Sequence, residues 1–196
     1  MKIAHISDTH ILTLKRHDEF REVFAQIYKS LREAKVNYIV HTGDLFHSKL
    51  QLTPECVSLA AEFLKKLADI APTYIIAGNH DMTFDSEKLL RDKLAYFEGR
   101  TEYDTECAEG KPDWLDTLLV SELNPNVFYL ENSFVMLDDI KIWGSPISPT
   151  FGYGWAFNKD RGHEINKVWN NISNDSDIVI THSPIYGYCD RTDRTN

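Results

Sequence analysis

One alternation limits what this chain can fold into more than any other feature. Short apolar runs with strand character stop abruptly at polar residues, and stretches with helical spacing separate them. Residues 2–6, 38–40 and 73–77 are the apolar runs. Between the first two, Phe20, Val23, Phe24, Ile27, Leu31 and Ala34 recur at intervals of three and four. That spacing predicts one face of an amphipathic helix over 18–34, with Asp18 as its N-cap. Thr53-Pro54 predicts the start of a second helix, because a threonine cap followed by proline satisfies the first turn. Val57, Ala60, Ala61, Leu64 and Leu67 are its expected buried positions, and Pro72 marks its exit. A strand–helix–strand–helix–strand order calls for parallel strands joined by crossover helices, so the expected class is α/β, with one domain over residues 1–196.

The remainder reads less regularly. Helices are expected over 84–96, 113–122 and 161–171, and a polar surface loop over 98–111. Short strands are expected over 127–129, 133–137 and 140–144, with a turn at Asp138-Asp139, and a last parallel-type strand over 177–181. Residues 145–157 read as a long loop rich in proline, glycine and aromatics.

The formal net charge of −9, with no cluster of lysines and arginines, argues against an extended groove for a nucleic-acid backbone, whose affinity comes from phosphate neutralisation. It does not exclude a small phosphate ester, since bound metal ions would bring positive charge locally. No apolar run approaches the roughly 20 residues of a membrane span. The N-terminus enters a strand at once, unlike a signal peptide. Three cysteines, Cys56, Cys107 and Cys189, show no ligand spacing and suit reduced thiols. A cytoplasmic protein is the expectation.

Four apolar runs finish in metal-type ligands: Asp8 and His10 after the first, Asp44 and His47 after the second, Asn79 and His80 after the third, and His182 after the last. Taken singly, each has a plain structural reading, as a turn, a helix cap or a hydrogen-bonded surface histidine. Together they point elsewhere, because the carboxyl ends of parallel strands line one crevice. Carboxylates, imidazoles and an amide oxygen without thiolate suit Mn²⁺, Fe²⁺ or Zn²⁺. On an extended segment Asp8 and His10 would grip one ion, Asp44 would bridge two, and Asn79 with His182 would hold the second. Paired ions about 3.5–4 Å apart activate water and stabilise in-line displacement at phosphorus. His80 would then meet the phosphoryl oxygens or protonate the leaving group.

"DTH", "GD", "GNHD" and "THSP" resemble the successive signatures of the calcineurin-like metallophosphoesterases. The resemblance implies a four-layer α/β/β/α sandwich with mixed sheets and a dinuclear centre, manganese favoured. Asp8, His10, Asp44, Asn79 and His182 would be its ligands, and His80 would be catalytic and, with Asn79, substrate-binding. "IIAGNHDMTFD", "IKIWGSPISPTFGYGWAFNKDRG" and "DIVITHSPIYGYCD" are similar to the metallophosphoesterase-domain (MPPED) proteins. That similarity implies a phosphodiesterase acting, by metal-activated hydroxide, on nucleotides or cyclic nucleotides. The rings of Phe151, Tyr153, Trp155 and Phe157 have two readings: ordinary packing under a long loop, or stacking of a base near the metals. "GDLFHSK" followed by "LTPE" is similar to the nuclease subunit of double-strand-break repair complexes, which implies a catalytic role for His47 and a DNA exo- or endonuclease as the alternative.

The superfamily pattern includes a Gly-His-x-His motif after the Thr-His-x-Pro strand. This sequence has none: Arg161-Gly162-His163-Glu164-Ile165 places Ile165 at the second histidine and precedes His182. The expectation is a domain truncated at its C-terminus, with activity far below a full-length relative. A nucleotide-binding scaffold without turnover is the other reading.

Overall fold

The computed structural model describes residues 1–13, 15–48, 52–85, 125–152 and 154–184. The expected helices over 84–96 and 113–122 lie largely or wholly outside these residues. So do the loop over 98–111, Tyr153, Cys107, Cys189 and the tail after Pro184.

Three parallel strands and two helices form in the expected order: β1 (Ile3–Ile6), α1 (His17–Ala34), β2 (Tyr38–His41), α2 (Pro54–Ala68) and β3 (Thr73–Ile75). A single 3-10 turn (Met82–Phe84) follows. After residue 124 come β4 (Val127–Tyr129), β5 (Ser133–Leu137), β6 (Ile140–Ser145), β7 (Ser148–Pro149), β8 (Asn158–Lys159), α3 (His163–Trp169) and β9 (Ile178–Thr181). The pair β7 and β8 lies in and just beyond the stretch read from sequence as loop; its two-residue strands are too short to leave a periodic signal.

Sheet one runs β1-β2-β3-β4, all parallel. Sheet two runs β5-β6-β9, with β5 antiparallel and β9 parallel to β6. The mixed sheets agree with the resemblance. Alternate strand residues face opposite ways, so Ile39 and Ile75 enter the core under the helices while Val40 and Tyr74 enter the core between the sheets. The inter-sheet core is completed by Leu130, Leu137, Ile142 and Ile180. Among the described residues, all three helices contribute to the first core; a helical layer over sheet two is not among them.

Thr53 caps α2 as the sequence predicts, its hydroxyl accepting from the Cys56 amide. The cap of α1 differs from expectation. Arg16, in the left-handed region, takes the position assigned to Asp18, which lies in the first turn instead and there favours the positive helix N-terminus by charge. Both buried faces hold most of the expected residues and differ at their margins. In α1, Phe24, Tyr28 and Leu31 are buried while Val23 is half exposed. In α2, Cys56, Leu59, Phe63 and Ala68 join Ala60, Leu64 and Leu67. The reason is the seam between the helices, where the rings of Phe24 and Phe63 stack at 4.1 Å. Full burial of a ring such as Phe63 contributes about 2–3 kcal/mol.

Register brings the strand ends together. Ile6, His41, Ile75 and Tyr129 lie side by side across sheet one, so the segments after β1, β2 and β3 leave the same edge. Two buried polar side chains brace that edge. The Asp81 carboxylate accepts from the Gly78, Leu45 and Phe46 amides, tying the segment after β3 to the segment after β2. Burial pushes its carboxyl up to about 6, against the pull of those three amides. His41 is 1% exposed; its Nδ1 accepts from the Gly43 amide and its Nε2 lies 3.3 Å from the Thr9 hydroxyl. Burial lowers its pKa to about 4.

Two outcomes are expected. Asp81→Ala would leave three amides without their acceptor and cost at least about 3 kcal/mol in denaturant unfolding. His41 is protonated in the unfolded chain below its ordinary pKa of 6.5, but in the folded chain only below about 4, so its contribution to stability falls as pH drops through that window. Between pH 7.5 and 5 this amounts to about 2 kcal/mol. His41→Asn should lose that much less stability than the parent over the same pH step, measured by unfolding at both pH values.

Candidate metal centre

The segment after β1 is not extended. Asp8 and His10 both have left-handed backbones, at φ 56° and 45°, and so does Asp44, at φ 55°. Each costs roughly 1–2 kcal/mol relative to ordinary conformations. The conformation holds because the two segments pair along their length. Asp8 N–H donates to Gly43 O at 3.1 Å, His10 N–H to Asp44 O at 3.0 Å, Ile11 N–H to Leu45 O at 2.9 Å, and His47 N–H returns to Ile11 O at 3.1 Å. Strained non-glycine backbones gathered in this way are a mark of functional sites.

Asp44 sits at the middle of the centre and is 3% exposed. Its Oδ2 lies 3.5 Å from His10 Nε2 and its Oδ1 lies 3.5 Å from His182 Nε2. Asp8 Oδ1 is 3.7 Å from the same His10 nitrogen. The two oxygens of one carboxylate thus face two different histidines, the arrangement a bridging ligand needs. The His80 amide donates to Asp44 Oδ1 at 2.9 Å and fixes the carboxylate's rotation. Gly78 leaves the space for it: a Cβ there would collide with the Asp44 carboxylate and its amide nitrogen. At Gly43, φ is 99° and a Cβ would lie 2.6 Å from Gly78 N, so this close approach requires glycine twice over.

His182 arrives from sheet two. Its Nδ1 lies 2.8 Å from Thr42 O and its Nε2 2.8 Å from Asn79 Oδ1. His80 Nδ1 lies 2.7 Å from the His47 carbonyl, which leaves Nε2 facing Asp44 Oδ2 at 4.0 Å. The rings of His10 and His80 meet edge to face at 4.7 Å, and His47 joins them at 5.5 and 5.8 Å. Two overlapping donor groups result, Asp8–His10–Asp44 and His10–His47–His80, each within 4.8 Å.

These residues fit divalent cations. An imidazole with one N–H cannot donate to both neighbours, yet both His182 nitrogens face acceptors. His80, once Nδ1 donates to His47 O, presents a lone pair to a carboxylate. Burial lowers the pKa of His10 and outweighs Asp44 and Asp8, which raise it; His80 and His47 lower it further, so the ring favours its neutral, ligating form. Lone pairs outnumber the protons available to them, and cations balance the count.

The structure brings together Asp8, His10, Asp44, Asn79, His80, His47 and His182, all named from sequence. It adds residues that were not assigned. Asp81 bears no ligand role and works from below, through backbone amides. His41 stands behind Thr9. Trp155 lies with its ring 4.7 Å from that of His80. The last residue of "GNHD" was a visible signal for Asp81; nothing local marked His41. A wide groove opens beside Asp8 and His182, walled by Val40, Ile142, Ile178 and Ile180.

Comparison with known proteins shows the family. Human metallophosphoesterase domain-containing protein 1 is 34% identical over 157 residues, covering 78% of this chain and 43% of the relative. A protein of Acanthamoeba polyphaga mimivirus is 42% identical over 91 residues, covering 45% of this chain and 7% of its own length. The DNA double-strand break repair protein Mre11 of Saccharolobus solfataricus is 33% identical over 87 residues, covering 41% of this chain and 23% of the relative. The chain therefore spans less than half the length of these relatives. The calcineurin-like phosphoesterase family matches residues 1–195, and the chain belongs to that family of hydrolases.

Proposed function

We propose that this chain hydrolyses phosphodiesters, those of nucleotides or cyclic nucleotides foremost, at a pair of divalent ions, manganese favoured. The observation that carries the reading is the Asp44 carboxylate, whose two oxygens face His10 on one side and His182 on the other. Asp8 and His10 would hold one ion and Asn79 with His182 the other, with Asp44 between them. Bound there, the ions supply a nucleophile from water and positive charge against the phosphoryl oxygens.

The chain's own groups do the rest. The His80 backbone amide holds Asp44 in rotation. The His80 side chain, oriented by the His47 carbonyl, presents Nε2 at the centre. From there it stabilises phosphoryl oxygens or delivers a proton to the departing ester oxygen. His47 lies in the same ring cluster and assists as a secondary proton carrier. The buried floor formed by Leu45, Phe46 and Asp81 excludes water beneath the centre.

A nuclease reading is favoured by one observation, the likeness to the archaeal repair protein. The net charge of −9 opposes it. Purified protein with manganese should hydrolyse a p-nitrophenyl phosphodiester and cyclic nucleotides while leaving linear DNA intact; the converse pattern selects the nuclease. Tight binding of nucleoside monophosphates with no turnover of any phosphodiester selects the scaffold reading. Asp44→Asn should lose both metal and activity. His80→Ala should keep metal by elemental analysis and lose activity by about 10²–10⁴-fold, the ordinary worth of a proton-transfer group.

A further inference from the structure

A histidine at the end of a buried strand costs free energy unless both of its nitrogens are hydrogen-bonded. His41 closes β2, is 1% exposed, and sets its ring edge-on to Phe63 of α2 at 6.2 Å. Both nitrogens have partners, and the partners fix where each proton sits. The Gly43 amide can only donate, so Nδ1 carries the lone pair and Nε2 the N–H. Leu45 O can only accept, so the Thr9 hydroxyl donates there at 3.2 Å and turns a lone pair to His41 Nε2 at 3.3 Å. A relay thus runs in one direction, from the Gly43 amide through His41 and Thr9 to the Leu45 carbonyl.

Its place in the fold gives it a hold on the centre. Thr9 stands between Asp8 and His10, whose backbones are both left-handed. At the other end, Gly43 precedes Asp44, and its carbonyl accepts from Asp8 N–H. The Leu45 carbonyl accepts from Ile11 N–H as well as from Thr9. The relay therefore joins by side chains the same two segments that the backbone bonds join. The backbone bonds flank Thr9, at Asp8 and His10. The hydroxyl ties down Thr9 itself, on which the directions of both neighbouring side chains depend. Groups that orient metal ligands from behind typically change metal affinity by about 10–100-fold when removed.

We propose that His41 and Thr9 are positioning residues for the divalent ion. Their relay fixes the bend that aims Asp8 and His10 at Asp44, and so sets affinity for the ion beyond what it contributes to folding. The inference rests on reading the centre as a metal site.

Calorimetric titration of manganese into the metal-free chain at neutral pH, paired with denaturant unfolding without metal, separates the two roles. Thr9→Val removes the hydroxyl and keeps the shape; it should weaken manganese binding at least about tenfold. Thr9→Ser keeps the hydroxyl and should stay within about threefold of the parent. His41→Asn keeps an acceptor for the Gly43 amide but falls short of Thr9, and should weaken binding to a similar degree as Thr9→Val. His41→Gln reaches as far as Nε2 and should recover part of the loss. Thr9→Val and His41→Asn together should bind no more weakly than the weaker single variant, because both break one relay. Thr9 is only partly buried, so Thr9→Val carries the test alone where His41→Asn does not fold. Equal affinity in Thr9→Val and the parent, whatever the change in unfolding, overturns the inference and leaves the relay a folding brace. Equal losses in Thr9→Ser and Thr9→Val, or additive losses in the double variant, overturn it too. A parent that binds no manganese overturns the metal-site reading and the inference with it.

Discussion

The centre depends on the pairing of two irregular segments, residues 8–11 and 43–47, that leave β1 and β2 at the same edge of sheet one. Four backbone hydrogen bonds join them. Without that pairing, Asp8, His10 and Asp44 would relax from left-handed conformations that cost each of them free energy. Asp81 extends the brace to the third strand, accepting from amides on both sides of the gap. Strain in Asp8, His10 and Asp44 is thus offset by the backbone hydrogen bonds of the two segments and by those that Asp81 accepts.

The same edge explains the chemistry available. Parallel strands in register deliver their polar ends to one crevice, and β9 of the second sheet adds His182 against Thr42 and Asn79. The resulting cluster holds carboxylates and imidazoles whose lone pairs exceed the protons that could satisfy them. Such a surplus is costly in a partly buried place and suits cations.

Much of this was legible in the residues. The polar closures of four apolar runs named seven side chains that the fold brings together, because parallel topology converts sequence-distant strand ends into neighbours. The α2 start was equally plain, since Thr53 and Pro54 act within one turn. The α1 cap was not: Asp18 has the right side chain, but the chain enters from Arg16. Most of each buried face was read correctly, and its margins were not: Tyr28 replaces Val23 in α1, and Cys56, Leu59, Phe63 and Ala68 widen the face of α2, because the margins depend on the seam that runs through Phe24 and Phe63.

What the sequence by itself determined, then, is the order of β1, α1, β2, α2 and β3, the family and a set of groups whose chemistry suits a cation. Those follow from periodicity and local chemistry, which act over a few residues. Tertiary structure alone decided which oxygen of Asp44 faces which histidine and that Asp8 and His10 sit on strained rather than extended backbone. It also decided that Asp81 braces the centre instead of joining it, and that Trp155 stands beside His80 while Phe157 enters the core. Each of those outcomes turns on contacts between residues far apart in the chain, where distance and direction exist only after the sheets and helices have packed.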